Sequence, residues 1–156
     1  MYKKFILLIV LFNLISHCGF TPLYVNQKNV NFTIVSIKFT GDKTINKFLK
    51  SRLYQFQKDK KDNKEFTINV NTKYEKNILT KDKTAKTTNY ELSFIALFEI
   101  SSNGQIIKIL KISDTEIMNN INDDFEEQTN ERIAKQNFAS STSKKIATEL
   151  LILNDN

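Results

Sequence analysis

The residues best equipped for covalent or metal chemistry are few and lie close together. The only cysteine (Cys18), the only histidine (His17) and the only proline (Pro22) of the 156-residue chain all fall within Leu14–Tyr24. Upstream, Lys3 and Lys4 precede an apolar run from Phe5 to Phe12 that continues past Asn13 to Leu14 and Ile15. That layout predicts a secretory signal peptide over residues 1–17. As a helix, Phe5–Ile15 would reach only about 17 Å, short of the roughly 30 Å of a bilayer core. If the chain is cut before Cys18, its only histidine is discarded. Zinc sites draw on Cys and His, and most nucleophilic catalysis needs a base that is usually His, so these chemistries are nearly closed. Carboxylate-only schemes, Ser-Lys schemes and calcium held by oxygen remain formally open without a motif to support them. The expectation is a protein that is not an enzyme, with no metal site and no dissociable cofactor.

The chemistry left for Cys18 is acylation. Leu14-Ile15-Ser16-His17-Cys18 resembles a bacterial lipobox, in which the thiol is acylated and the cysteine becomes the new N-terminus. His17 departs from that pattern, since Gly, Ala or Ser is usual there. The alternative is a buried free Cys, which in an exported chain would be an unpaired thiol in an oxidising compartment. Cys18 is therefore the predicted lipidation site, and its acyl/diacylglycerol lipid the only attached group expected. Each buried CH₂ contributes about 0.8 kcal/mol, and more than one acyl chain is needed for stable attachment. Without Lys3 and Lys4, 21 basic residues face 17 acidic ones, a net charge of +4 where the whole chain carries +6. A surplus this mild suits an anionic lipid, another acidic partner or simple solubility.

Periodicity supplies the body on which such an anchor would act. Residues 18–29 read as acylated N-terminus and tether, and 30–156 as one domain. Val30–Thr40 is a strand with apolar residues on both parities, hence an interior strand or one bulged near Ile34-Val35. Asp42 or Thr44 caps a helix carrying Ile45, Phe48, Leu49, Leu53 and Phe56 on one face. After a charged loop from Lys58 to Lys64, Phe66, Ile68 and Val70 alternate with polar residues in a second strand. Tyr74–Asn89 is polar and predicts a long hairpin or loop tip. Tyr90–Ile100 is a central strand, and Ser102-Asn103-Gly104 turns it back into Gln105–Ser113. A polar segment follows from Asp114 to Asn122. Asp124 then caps a helix over Phe125–Leu153 with the stripe Ala134, Phe138, Thr142, Ile146, Leu150 and Leu153, and Ile133, Ala147 and Leu151 beside it. The predicted class is α+β, with two helices on one face of a four-stranded mixed or antiparallel sheet, a two-layer sandwich. Its second face carries mostly Thr, Asn, Lys and Ser, with Ile95 and Leu97 among them.

Cys18-Gly19-Phe20-Thr21-Pro22-Leu23-Tyr24, placed at the acylated residue, resembles the opening of the LPS-assembly lipoprotein LptE of Gram-negative bacteria. The resemblance implies the same α+β fold, attachment to the periplasmic face of the outer membrane, and assembly with an LptD-like β-barrel. In that role the chain would plug the barrel and take part in inserting lipopolysaccharide into the outer leaflet. Gly19 is not the aspartate that commonly retains lipoproteins at the inner membrane. Lys76, Lys81, Lys83 and Lys86 share one predicted loop, where several ammonium groups could meet lipid A phosphates. Two other classes compete: an outer-membrane lipoprotein that binds an unrelated periplasmic protein, and an enzyme or nucleic-acid binder. The missing His opposes an enzyme; the export signal opposes nucleic acid, for which basic charge alone is weak support.

Overall fold

A computed structural model describes residues 32–57 and 64–155, all within the compact unit Asn31–Asn156. Strand β1 (Phe32–Gly41) leads to helix α1 (Lys43–Leu53), extended by a short 3₁₀ turn at Tyr54–Phe56. β2 (Lys64–Lys81), β3 (Thr87–Ser102), β4 (Gln105–Asn119) and helix α2 (Asp124–Asp155) follow. The sheet order is β1-β2-β3-β4, with β1 parallel to β2 and the other neighbours antiparallel. The fold is therefore α+β with a mixed four-stranded sheet, as periodicity implied.

One face of the sheet is the core. Phe66, Ile68 and Val70 of β2 and Leu92, Phe94, Ala96, Phe98 and Ile100 of β3 are all buried, each on a single parity. β1 joins this face through a break in register between Ile34 and Ser36. The extra residue, Val35, is 56% exposed, and the bulge lets Ile34 pair with Phe66 while Ile37 pairs with Ile68. That shift explains apolar residues on both parities: β1 is a bulged edge strand, not an interior one.

The helices bury complementary stripes. α1 contributes Ile45, Leu49 and Leu53, with Phe56 from the 3₁₀ turn; α2 contributes Ala134, Phe138, Thr142, Ile146 and Leu150, and a second row of Ala139, Ser143 and Ala147. Phe138 stacks on Phe94 with centroids 5.1 Å apart. Ile133, expected beside the stripe, is instead exposed, and Leu153 is only half-buried.

Two polar contacts show how α2 lies. Near its start Glu127 meets Lys76, and near its end the Leu153 carbonyl accepts from the Lys64 ammonium at 2.6 Å. Helix rise from Glu127 to Leu153 is about 39 Å and strand rise from Lys64 to Lys76 about 40 Å, so α2 runs the length of this part of β2 in the opposite direction. The lysine also places positive charge at the negative end of the helix dipole.

Several boundaries differ from the expectations. β4 continues through Asp114 to Asn119, because an outer strand can be polar on most positions and still be held by pairing with β3. The cap of α2 is Asp123, whose Oδ1 accepts from the backbone N–H groups of Phe125 and Glu126, one residue before the expected Asp124. Tyr74–Asn89 is a hairpin with only 82–86 outside the strands, so Lys76 sits inside β2 and not in a loop. Cys18, the signal segment 1–17 and the tether 18–29 lie outside the described residues, as does most of the charged loop.

Two of the turns use glycine where φ is positive. Asn103 and Gly104, at φ 51° and 78°, make the two-residue connection between β3 and β4. Gly41 has φ 94°, and a Cβ there would stand 1.7 Å from the Thr72 carbonyl oxygen. Gly41→Ala is therefore expected to lose about 3 kcal/mol or more of stability, whereas Gly104→Ala, with open space around it, loses about 1 kcal/mol. Urea unfolding monitored by circular dichroism checks this, and equal losses at the two positions would contradict it.

Candidate functional site

Two surfaces of this body bear on the sequence-derived site: the tip of the β2–β3 hairpin and the sheet face opposite the helices. The tip is an ordered turn built around Asp82. Its Oδ1 accepts from the Thr84 N–H at 2.8 Å, the Thr84 hydroxyl at 2.7 Å and the Lys86 N–H at 3.0 Å. These bonds, that from the Thr84 hydroxyl foremost, hold the Asp82 carboxyl below its usual range. Ala85 takes φ 64° to close the turn. Below it, the Thr80 hydroxyl donates to Asn89 Oδ1, and Asn89 Nδ2 to Asn119 Oδ1 on β4.

Lys81, Lys83 and Lys86 are all exposed at this tip. Lys86 donates to Asn122 Oδ1 at 2.9 Å, tying the turn to the segment that enters α2. Ile78 and Leu79 are also exposed, where β2 loses register with β3. Ammonium groups and bare aliphatic side chains thus share one end of the molecule, a pairing that suits a ligand with both anionic groups and acyl chains. The aliphatic half of the site was not singled out from the sequence, although the pair Ile78-Leu79 inside a polar stretch was its signal.

Lys76 does not belong to that group. Its ammonium lies 2.6 Å from Glu127 and 3.4 Å from Glu131 and sits over the Tyr90 ring at 4.3 Å. Glu131 also meets Lys135 at 3.2 Å, and Lys135 reaches Asp42 at 3.3 Å while covering the Tyr74 ring at 3.8 Å. Asp42 is at the same time the cap of α1, its Oδ1 accepting from the Ile45 N–H at 2.8 Å. β2, α1 and α2 are fastened together by this chain of charges.

Burial disfavours the charged form of Lys76, but its hydrogen bond to Glu127 and the charges of Glu127 and Glu131 prevail, so its pKa is raised. For Glu131 burial works upward, and the hydrogen bond from Lys135 and the charges of Lys135 and Lys76 bring the pKa below its usual value. Burial, followed by the charge of Glu131, pushes the Tyr74 hydroxyl well up. That hydroxyl is close enough to feel the carboxylate but does not reach hydrogen-bonding geometry.

The opposite sheet face is the second candidate surface. Cross-strand partners place Lys38, Asn69, Glu99 and Ile109 in one row, and Thr40, Asn71, Leu97 and Lys111 in the next. Further toward the tip come Lys73, Ile95 and Ser113, then Glu75, Ser93 and Thr115. Neither helix covers this face. The Thr, Asn, Lys and Ser residues, with Ile95 and Leu97 among them, are those expected from sequence; Glu75, Glu99 and the exposed isoleucines of β4 are additions to it.

No protein-family model and no curated protein sequence matches the chain. Solved structures do. Rare lipoprotein B from Shewanella oneidensis matches with a TM-score of 0.56 at 14% identity, over 76% of this chain and 98% of that one. An uncharacterized lipoprotein B from Nitrosomonas europaea matches at 0.57 and 15%, over 80% and 85%. A minor lipoprotein from Acinetobacter baumannii matches at 0.52 and 16%, over 73% and 93%. The likeness concerns the fold, which is the LptE-like α+β fold expected from the residues around Cys18.

The ion network carries a prediction about acid. A carboxyl whose folded pKa is depressed stabilises the fold above its unfolded pKa, about 4.3, and that contribution is lost as pH falls through the folded value. Glu131→Gln should therefore cost about 1–3 kcal/mol at pH 7 and progressively less below roughly pH 4, where wild type and variant converge. Thermal unfolding from pH 3 to pH 7 measures it; a difference independent of pH would contradict the assignment.

Proposed function

We propose that this chain is a lipoprotein of the outer membrane, held at the periplasmic face by acyl chains on Cys18. It assembles with an LptD-like β-barrel, plugs that barrel and serves the insertion of lipopolysaccharide into the outer leaflet. The observation that carries this reading is the one-sided body. Two helices cover one face of the sheet and leave the other as a broad, mostly polar surface with aliphatic residues along β3 and β4, and the lumen of an outer-membrane barrel is polar as well. A wedge of this kind needs shape and hydrogen-bonding surface, with no catalytic group of its own. The likeness in fold to rare lipoprotein B and other lipoproteins supports the placement on a membrane.

At the tip, Lys81, Lys83 and Lys86 supply cations for lipid A phosphates, and Ile78 and Leu79 supply apolar contact for the acyl chains beside them. Lys76 is withdrawn from this role by Glu127 and Glu131.

Affinity purification through a C-terminal tag, with intact mass of the mature N-terminus, tests the anchor and the partner together. The expected result is an acylated Cys18 and a co-purifying barrel; an unmodified precursor without a barrel would overturn the reading. For the tip, replacing Lys81, Lys83 and Lys86 by Gln should weaken lipopolysaccharide binding about tenfold at low salt, each exposed ammonium contributing up to about 1 kcal/mol. Lys76→Gln should instead lower thermal stability and leave that affinity unchanged. Unchanged binding by the triple variant would remove the tip from the ligand site.

A further inference from the structure

β4 ends the sheet, and its outer side is uncovered among the described residues. Fifteen residues long and free of proline and glycine, it turns alternate backbone N–H and C=O groups away from β3. Natural edge strands are usually short, bulged or covered, because such a row of unpaired groups is a template for another strand; β4 is bulged only at Ile107, near its start, and is regular from Lys108 onward. Here Ile106, Ile109 and Ile117 are about 60% exposed on the open face. On the helix side a groove of about 470 Å³ runs between β4 and α2, lined by Leu110, Ile112, Lys145, Thr148 and Glu149 among others. A strand laid along β4 would drop alternate side chains into that groove, as peptides do between an edge strand and a helix.

The order of charges along β4 selects the occupant. Lys108 and Lys111 lie in its first half, Asp114 and Glu116 in its second. An antiparallel strand of the same sequence sets basic half against acidic half in both directions. With the two-fold axis at Ile112, Lys108 faces Glu116 of the second copy on the helix side. Leu110 then faces Asp114 of that copy, which enters the groove beside Lys145, and the two Ile112 side chains meet at the centre. Lys108 already holds Glu149 at 3.3 Å in its own chain, so the incoming Glu116 would complete a carboxylate–lysine–carboxylate bridge. Moving the axis to Lys111 still sets Lys108 against Asp114 but brings the two Lys111 side chains face to face, and moving it to Ser113 leaves no opposite charges facing. One register is thus favoured over its neighbours.

We propose that β4 pairs antiparallel with β4 of a second copy of this chain, centred on Ile112, giving a continuous eight-stranded sheet with all four helices on one face. The inference rests on β4 alone and is independent of the barrel and the lipid.

Sedimentation equilibrium of the full-length chain in a non-ionic detergent tests it, with Cys18→Ser in every variant so that no other thiol is present. A reversible dimer is expected. Lys108→Glu and Glu116→Lys should each weaken it about tenfold, since two symmetric pairs are lost, and the double reversal should restore it. A second measurement uses exposed positions only. Ile109→Cys mixed with Thr115→Cys should oxidise to a disulfide-linked dimer, and neither variant alone should do so. A chain that stays monomeric up to roughly 0.5 mM, a dimer indifferent to the charge reversals, or cross-linking by either thiol variant alone would overturn the proposal.

Discussion

A four-stranded sheet with helices on only one side imposes a rule on its strands: the apolar side chains that build the core must share one parity, because the other parity, where Ile95 and Leu97 lie, meets water or a partner. β2 and β3 follow it without interruption, from Phe66 to Val70 and from Leu92 to Ile100. β1 follows it only because of the bulge at Val35, which turns two misaligned apolar pairs toward the same helices. A chain that shed this bulge would slip register and expose half of one strand's contribution to the core.

Along the covered face of β2 the environment changes in order. Phe66, Ile68 and Val70 are buried; Thr72 comes next, its hydroxyl donating to Asn46 Oδ1 at 2.8 Å; then Tyr74 and Lys76 meet the charges of α2. α2 mirrors the gradient, from Phe138 through Lys135 and Glu131 to Glu127. The apolar core and the ionic cluster are thus two stretches of one interface. Packing supplies the burial, and the charges at its end tie α2 both to β2 and to the start of α1, because Lys76 lies on β2 and Asp42 caps α1. The same arrangement leaves the hairpin beyond Lys76 without a helix over it, which is why Ile78 and Leu79 are bare and the neighbouring lysines face solvent.

Much of this was legible from residues alone. Alternation located β2 and β3, Asn103-Gly104 located their continuation into β4, and Asp42 was one of two visible cap candidates, with Thr44. The polar character of the open face followed from the same alternation. What escaped were features set by distant partners. Nothing near Lys76 announces that residues about fifty positions later will hold it, and its polar surroundings read as loop. Asp114–Asn119 has no hydrophobic period because an outer strand needs none. The parallel pairing of β1 with β2 depends on where α1 lies, which local sequence does not specify. Of the candidate site, the three tip lysines were visible as composition; their aliphatic neighbours were visible only as an oddity in a polar run.

A body that buries one sheet face and presents the other is suited to fill space inside something larger, and the account stands or falls on whether the bare face is in contact with that enclosure. A photo-crosslinking residue at Leu97, in the middle of the open face, measures this directly in the native cell envelope. The account predicts a covalent adduct of the size of an outer-membrane barrel joined to this chain. Leu97 remaining free of any barrel adduct, while the chain is folded and acylated, would contradict it.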